Sequence, residues 1–182
     1  GYEHIDKGTG ENQFFRFSKP KDNAFPHMIE LFSKRPDYLN SFVTRLGPIH
    51  ISDDAISLSA ILLDDEYYKV LKEGVTVIED VSVLDLEHIV LFKIKAWLDL
   101  SERKEKGEAI DSKNIKKHKN DIFRLCASIE NDSRIQVTGN VRRDTELFIS
   151  KSKEEPVNLG DLGIKNATFD ELLGVIEACY LW

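Results

Sequence analysis

The stretch DLEHIVLFKIKAWLDLSERKEK, residues 85–106, decides how the chain is read. Upstream of it apolar residues come in short alternating runs; within it they recur every third or fourth position. Asp85 is of the residue type that caps a helix N-terminus and Gly107 follows the last periodic residue, so the spacing predicts a helix over residues 86–106. On a wheel of about 100° per residue, Lys95 falls beside Asp99 and Glu102 on the charged side, as a solvated lysine with an i+4 partner. Lys93 falls between Ile89, Ala96, Trp97 and Leu100. A lysine on an apolar face snorkels, shifts its pKa, or holds an anion such as a phosphate. The first of these would pack its stem on Trp97 and leave the ammonium at the rim.

Downstream the helical period continues. Asp111 and Ser112 open a second helix expected to run to about Glu130. One of its stripes is basic (Lys113, Lys116, Lys117, Arg124) and one apolar (Ile115, Ile122, Leu125, Cys126, Ile129). Asp121 sits at the seam, one turn after Lys117. It is either half of a surface i,i+4 pair or a carboxylate that pins a catalytic lysine or touches a ribose. His118 projects toward the apolar side, as a hydrogen-bonded core histidine would. The basic stripe is a solvated face or a place where the phosphates of a nucleotide or RNA dock. A short strand over Ile135–Thr138 and a weakly amphipathic helix near Val141–Ser152 follow. After a turn region at residues 156–163, Thr168 and Glu171 form a capping-box pair ahead of a last helix, Phe169–Tyr180.

The front half predicts strands. Phe14, Phe15 and Phe17 form a run that stops at Pro20, which cannot donate to a ladder. FPHMIELFS, residues 25–33, reads as one strand with Met28, Glu30 and Phe32 on the same side. An acid in that company is costly unless it is exposed at an edge, paired, or holding a metal. Residues 49–52 and 57–63 give two more strands, and residues 64–72 a short helix with Gly74 as its left-handed terminator. Residues 75–84 carry β-branched side chains in two bursts around Glu79-Asp80, which predicts a hairpin. The acidic clusters Asp53-Asp54 and Asp64-Asp65-Glu66 suit turns and a helix start. The expected fold class is α/β (α+β), with a sheet-rich part over residues 1–84 and a helical part over residues 85–182.

Composition narrows the function classes. The 182 residues are 41% hydrophobic and 31% charged, a balance that supports a buried core. Lys plus Arg is 25 against Asp plus Glu 32, a net charge of -7, which argues against bulk coating of nucleic acid or adhesion to an anionic membrane. No apolar run is long enough to span a bilayer, and no leader pattern points to secretion. Two cysteines, Cys126 and Cys179, make neither a disulfide framework nor a four-ligand zinc site. Cys126, on an apolar helix face, reads as inert core, and a cytoplasmic setting is expected. P-loop, GxGxxG, HExxH, GxSxG and CxxC motifs are not found. The chain opens on Gly1 rather than methionine, as a trimmed tag or a domain taken from a longer protein would.

Four stretches together carry a resemblance: FPHMIELFSKRPD (residues 25–37), SLSAILLDDEYY (57–68), VSVLDLEHIVLFKIKAWLDLSERK (81–104) and DSKNIKKHKNDIFRL (111–125). The most specific piece is a lysine three residues before alanine in an apolar helix, followed by Asp-Ile-x-x-Leu in the next; Lys93, Ala96 and Asp121 match it. In these stretches the chain resembles the AbiEii-like branch of the nucleotidyltransferase superfamily. The resemblance implies a mixed sheet followed by helices that close a nucleotide cleft. It implies transfer of a nucleoside monophosphate from an NTP, with magnesium (Mg2+), to an RNA or protein acceptor, in some members as bacterial toxins of defence systems. It makes Glu30 and Asp121 the catalytic candidates, Glu30 also the metal ligand, and Lys93 and Lys117 the nucleotide-binding residues. The family's Gly-Ser loop and paired Asp-x-Asp strand would precede the strand with Glu30, and residues 1–17 match neither. Asp64-x-Glu66 and Asp85-x-Glu87 have acidic spacing without a preceding Gly-Ser turn. Two readings therefore stand: a nucleotidyltransferase whose catalytic strands lie upstream, or a non-catalytic interaction module, antitoxin-like or scaffold, that kept the fold and lost the chemistry.

Overall fold

The computed structural model describes residues 1–4, 16–34, 46–49 and 58–181. They form a mixed α+β protein in two units, residues 1–68 and 69–182. Among the described residues no helix is long and apolar enough to cross a membrane.

The first unit is built of short strands. β1 (Arg16–Ser18) pairs antiparallel with β2 (Met28–Glu30), setting Arg16 directly opposite Glu30. β3 (Phe32–Lys34) runs parallel to β5 (Leu58–Leu63), and β4 (Leu46–Ile49) lies antiparallel on the other side of β5. The single strand expected over residues 25–33 is thus two strands in two sheets. Leu31 is the unpaired residue at which the chain changes partners, and a run apolar on both faces carries no signal for such a break. Of the strand expected at residues 49–52, Ile49 belongs to β4, and the rest lies outside the described residues, as do Phe14, Phe15 and the Asp53-Asp54 cluster.

Helix α1 (Asp65–Glu73) begins where Asp64 Oδ1 accepts from the Tyr67 amide at 2.9 Å. In the second unit, β6 (Val75–Ile78) and β7 (Val81–Leu84) form the expected hairpin. Its turn residues Glu79 and Asp80 both have left-handed backbones, φ 50° and 64°, the two-residue geometry that matches strand twist. Gly74 departs from its reading as a left-handed terminator. Among the described residues the glycines with positive φ are Gly107, Gly139 and Gly163, whereas a Cβ on Gly74 would lie 2.3 Å from His88 Cγ. Close approach, not backbone angle, requires the glycine there.

Four helices complete this unit: α2 (Leu86–Glu105), α3 (Ser112–Cys126), α4 (Gly139–Glu154) and α5 (Phe169–Tyr180). Asp85 caps α2 by accepting from the His88 amide, Asp111 caps α3, and Thr168 with Glu171 forms the full capping box of α5. Each helix contributes one ring to a connected aromatic core. Trp97 meets Phe148 edge-on with centroids 5.3 Å apart, Phe123 lies 6.1 Å from Phe148, and Phe169 lies 5.1 Å from Phe123. α3 ends before Glu130 because Ser128 and Ile129 bond back to Leu125 and Cys126 in tight turns that carry Ile129 into the core. Residues 135–138 form no strand: Ile135 donates to the Cys179 carbonyl at the end of α5, and Val137 is buried. Tyr180 Oη donates to the Glu87 carbonyl at 2.8 Å, tying the last turn of α5 to the first of α2.

Candidate functional site

The geometry centres on where α2 faces α3. Burial of Val90, Leu91, Ile94, Trp97 and Leu98 fixes the rotation of α2 and brings Lys93 to the edge of its contact with α3. Burial of Ile122, Phe123 and Cys126 does the same for α3 and brings Asp121 to meet it. Lys93 Nζ donates to Asp121 Oδ2 at 2.8 Å, with the lysine side chain 28% and the aspartate 22% exposed. Arg124 Nη1 stands 3.4 Å from the other carboxylate oxygen. The odd lysine of α2 therefore holds an anion, and that anion is Asp121. Lys117, one turn before Asp121, is exposed and forms no ion pair among the described residues. The i,i+4 pairing read between them is replaced by the interhelical pair.

Two other lysines make contacts that the sequence reading did not name. Lys95 reaches a neighbouring helix: its Nζ donates to Asp144 Oδ2 of α4 at 2.8 Å, and Asp144 is buried. Lysines two positions apart on α2 thus reach opposite neighbours, α3 and α4. The lysine over Trp97 is Lys119, with Nζ 5.3 Å from the ring centroid and donating to the Glu155 carbonyl at 2.6 Å. Burial lowers the pKa of Lys119, against the charge of Glu155, which raises it. Its place on the wheel, between Ile115, Ile122 and Phe123, was the available signal.

Glu30 lies in the first unit, where Arg16 Nε donates to its Oε1 at 2.7 Å across the β1–β2 register. The strand glutamate is paired, which meets the cost of its apolar flanks. It is one carboxylate, and among the described residues no group of three His, Cys, Asp or Glu side chains stands close enough to hold a metal ion. Asp64 and Asp65 serve the start of α1, with Lys34 3.2 Å from Asp65.

Cys126 and Cys179 are both buried free thiols, and burial raises both pKa values, the opposite of what a nucleophile needs. A groove of about 710 Å³ runs past Cys126, Ile129, Ala167, Leu172 and Ala178 and includes neither Lys93 nor Asp121. No protein family, no characterised protein and no solved structure matches the chain.

Proposed function

We propose that the chain is a nucleotidyltransferase-type protein with a nucleotidyltransferase-like arrangement of its mixed α+β fold. It would move a nucleoside monophosphate from magnesium-NTP to an RNA or protein acceptor, in a bacterial toxin or defence setting. The observation that supports this is the Lys93–Asp121 pair. An ammonium has three protons, and Asp121 engages one of them, so a partly exposed Lys93 has donors left for a triphosphate oxygen. Asp121 would orient that ammonium, and Lys117, exposed one turn away, would add a second positive charge for the triphosphate tail. Glu30 enters as a catalytic carboxylate through the resemblance alone. Magnesium would arrive bound to the triphosphate, as part of the substrate.

The second reading, a non-catalytic interaction module, is favoured by the hairpin. Val75, Val77, Ile78 and Val81 are 45%, 65%, 58% and 59% exposed, a concentration of aliphatic surface that suits a protein partner.

Calorimetric titration of each magnesium-NTP into the wild type, Lys93→Ala and Lys95→Ala separates the two. Lys95→Ala removes a comparable interhelical pair outside the proposed site. Loss of one charged hydrogen bond corresponds to roughly 10- to 100-fold in affinity, so Lys93→Ala should weaken binding by that much and Lys95→Ala should not. Equal weakening by both, or no binding at millimolar nucleotide, removes the nucleotide reading and leaves the interaction module.

A further inference from the structure

Many cations of the second unit face a carboxylate: Lys93 Asp121, Lys95 Asp144, Arg103 Glu108, Arg142 Glu146. Lys104, Lys113, Lys116 and Lys117 do not, and they gather at one place. Lys104, near the end of α2, donates to Ser112 Oγ, a neutral acceptor on the first residue of α3. Lys116 is one turn on from Ser112. Lys113, Lys116 and Lys117 are spaced i, i+3, i+4, all are exposed, and none forms an ion pair among the described residues. The span from Lys113 to Lys117 is about 6 Å along the helix axis. The first turn of α3 holds no acidic residue, and the acid at its positive end is the N-cap Asp111. The nearby acids are engaged: Glu108 with Arg103, and Asp111 in capping the Lys113 amide.

Like charges at i,i+3 and i,i+4 destabilise a helix, and in a chain of net charge -7 carboxylates to relieve them are plentiful. The cluster nonetheless forms no ion pair among the described residues. We propose that this face of α3 docks the phosphate backbone of a nucleic-acid strand. The cations are all lysines, which bind phosphate as point charges. One feature favours a phosphodiester chain over an acidic peptide. The other exposed position among the lysines, Asn114, is polar, so the face has no apolar anchor of the kind peptide binding relies on. Nucleic-acid binding needs none, because counterion release drives it. With no aromatic side chain on the face to stack bases, contact is independent of sequence. The inference stands on charge alone and does not depend on nucleotide transfer.

The test is fluorescence anisotropy with a labelled 20-nucleotide oligouridylate between 50 and 200 mM salt. Four lysine contacts on a single strand give a log–log salt slope of about -3. Lys113→Gln with Lys116→Gln should bring the slope to about -1.4 and weaken binding at 50 mM on the order of tenfold; Lys117, placed in the nucleotide site above, is left intact. Lys72→Gln with Lys165→Gln makes the same change in net charge on exposed lysines elsewhere and should leave both values unchanged. Circular dichroism checks that both doubles keep their helices. No binding by the wild type at 50 mM salt overturns the proposal, as does equal weakening by the control pair. An oligoglutamate of the same length that binds as tightly, and loses affinity with the Lys113/Lys116 double, overturns it in favour of an acidic protein partner.

Discussion

A methyl group added at Gly74 would sit 2.3 Å from His88 Cγ and 2.5 Å from its Cβ, well inside any tolerable contact. The histidine has little freedom to move away. It is buried, and its Nδ1 stands 2.6 Å from the Asp85 carboxylate that caps α2. Gly74 also accepts a hydrogen bond from the Asp85 amide at 2.9 Å, so α1, the hairpin and α2 meet at these three residues. Overpacking of this kind costs about 1–3 kcal/mol, and Gly74→Ala should lower the urea midpoint accordingly. In a His88→Ala background the same substitution should cost much less, with a coupling of about 1 kcal/mol or more in the double-mutant cycle. Independent effects of the two changes would show that the clash relaxes elsewhere. Composition named the glycine but not its reason, since a terminator and a packing site are written with the same letter. Lys93 was conspicuous for a related reason, its place on the wheel. Its partner was not, because Asp121 is 28 residues away and only the rotation of two packed helices brings them together.

Elements with strong end signals were legible in the sequence. Asp85, Asp111 and Thr168 each start a helix where a capping residue was expected, because the cap is a local bond between neighbours in the chain. Elements defined by their partners were not. Residues 28–34, apolar on both faces, divide between two sheets, and residues 135–138 lie against the end of α5 with no ladder although they alternate like a strand. The helices owe their mutual placement to Phe148, which is fully buried and touches both Trp97 and Phe123. Phe148→Ala should cost about 3–5 kcal/mol, read as a shift in the urea midpoint. A loss below about 1 kcal/mol would mean that the rings of α2 and α3 close the gap without it.

Across the molecule, titration of buried groups sets the alkaline limit of stability. Burial raises the pKa of Cys126, Cys179 and Tyr180 above their ordinary values of 9.0, 9.0 and 10.0. Each stays neutral in the folded chain while ionising in the unfolded one, so its contribution is complete below the ordinary value and is lost as the pH rises beyond it. Lys119 acts in the opposite sense. Its lowered pKa penalises the protonated form in the fold, and that penalty lifts as the pH climbs toward the ordinary lysine value of 10.5. Three groups oppose one, so the urea midpoint under reducing conditions should fall above pH 9. It should fall more steeply in Lys119→Met, which lacks the opposing gain; a midpoint flat from pH 7 to 10.5 would contradict both expectations. The hydrogen bond from Tyr180 to the Glu87 carbonyl joins residues 93 positions apart. A chain made from its N-terminus therefore displays α2, α3 and α4 before α5 exists to cover Phe123 with Phe169. Until translation delivers that last helix the nascent unit has an open side, and it is there that a chaperone would find its grip.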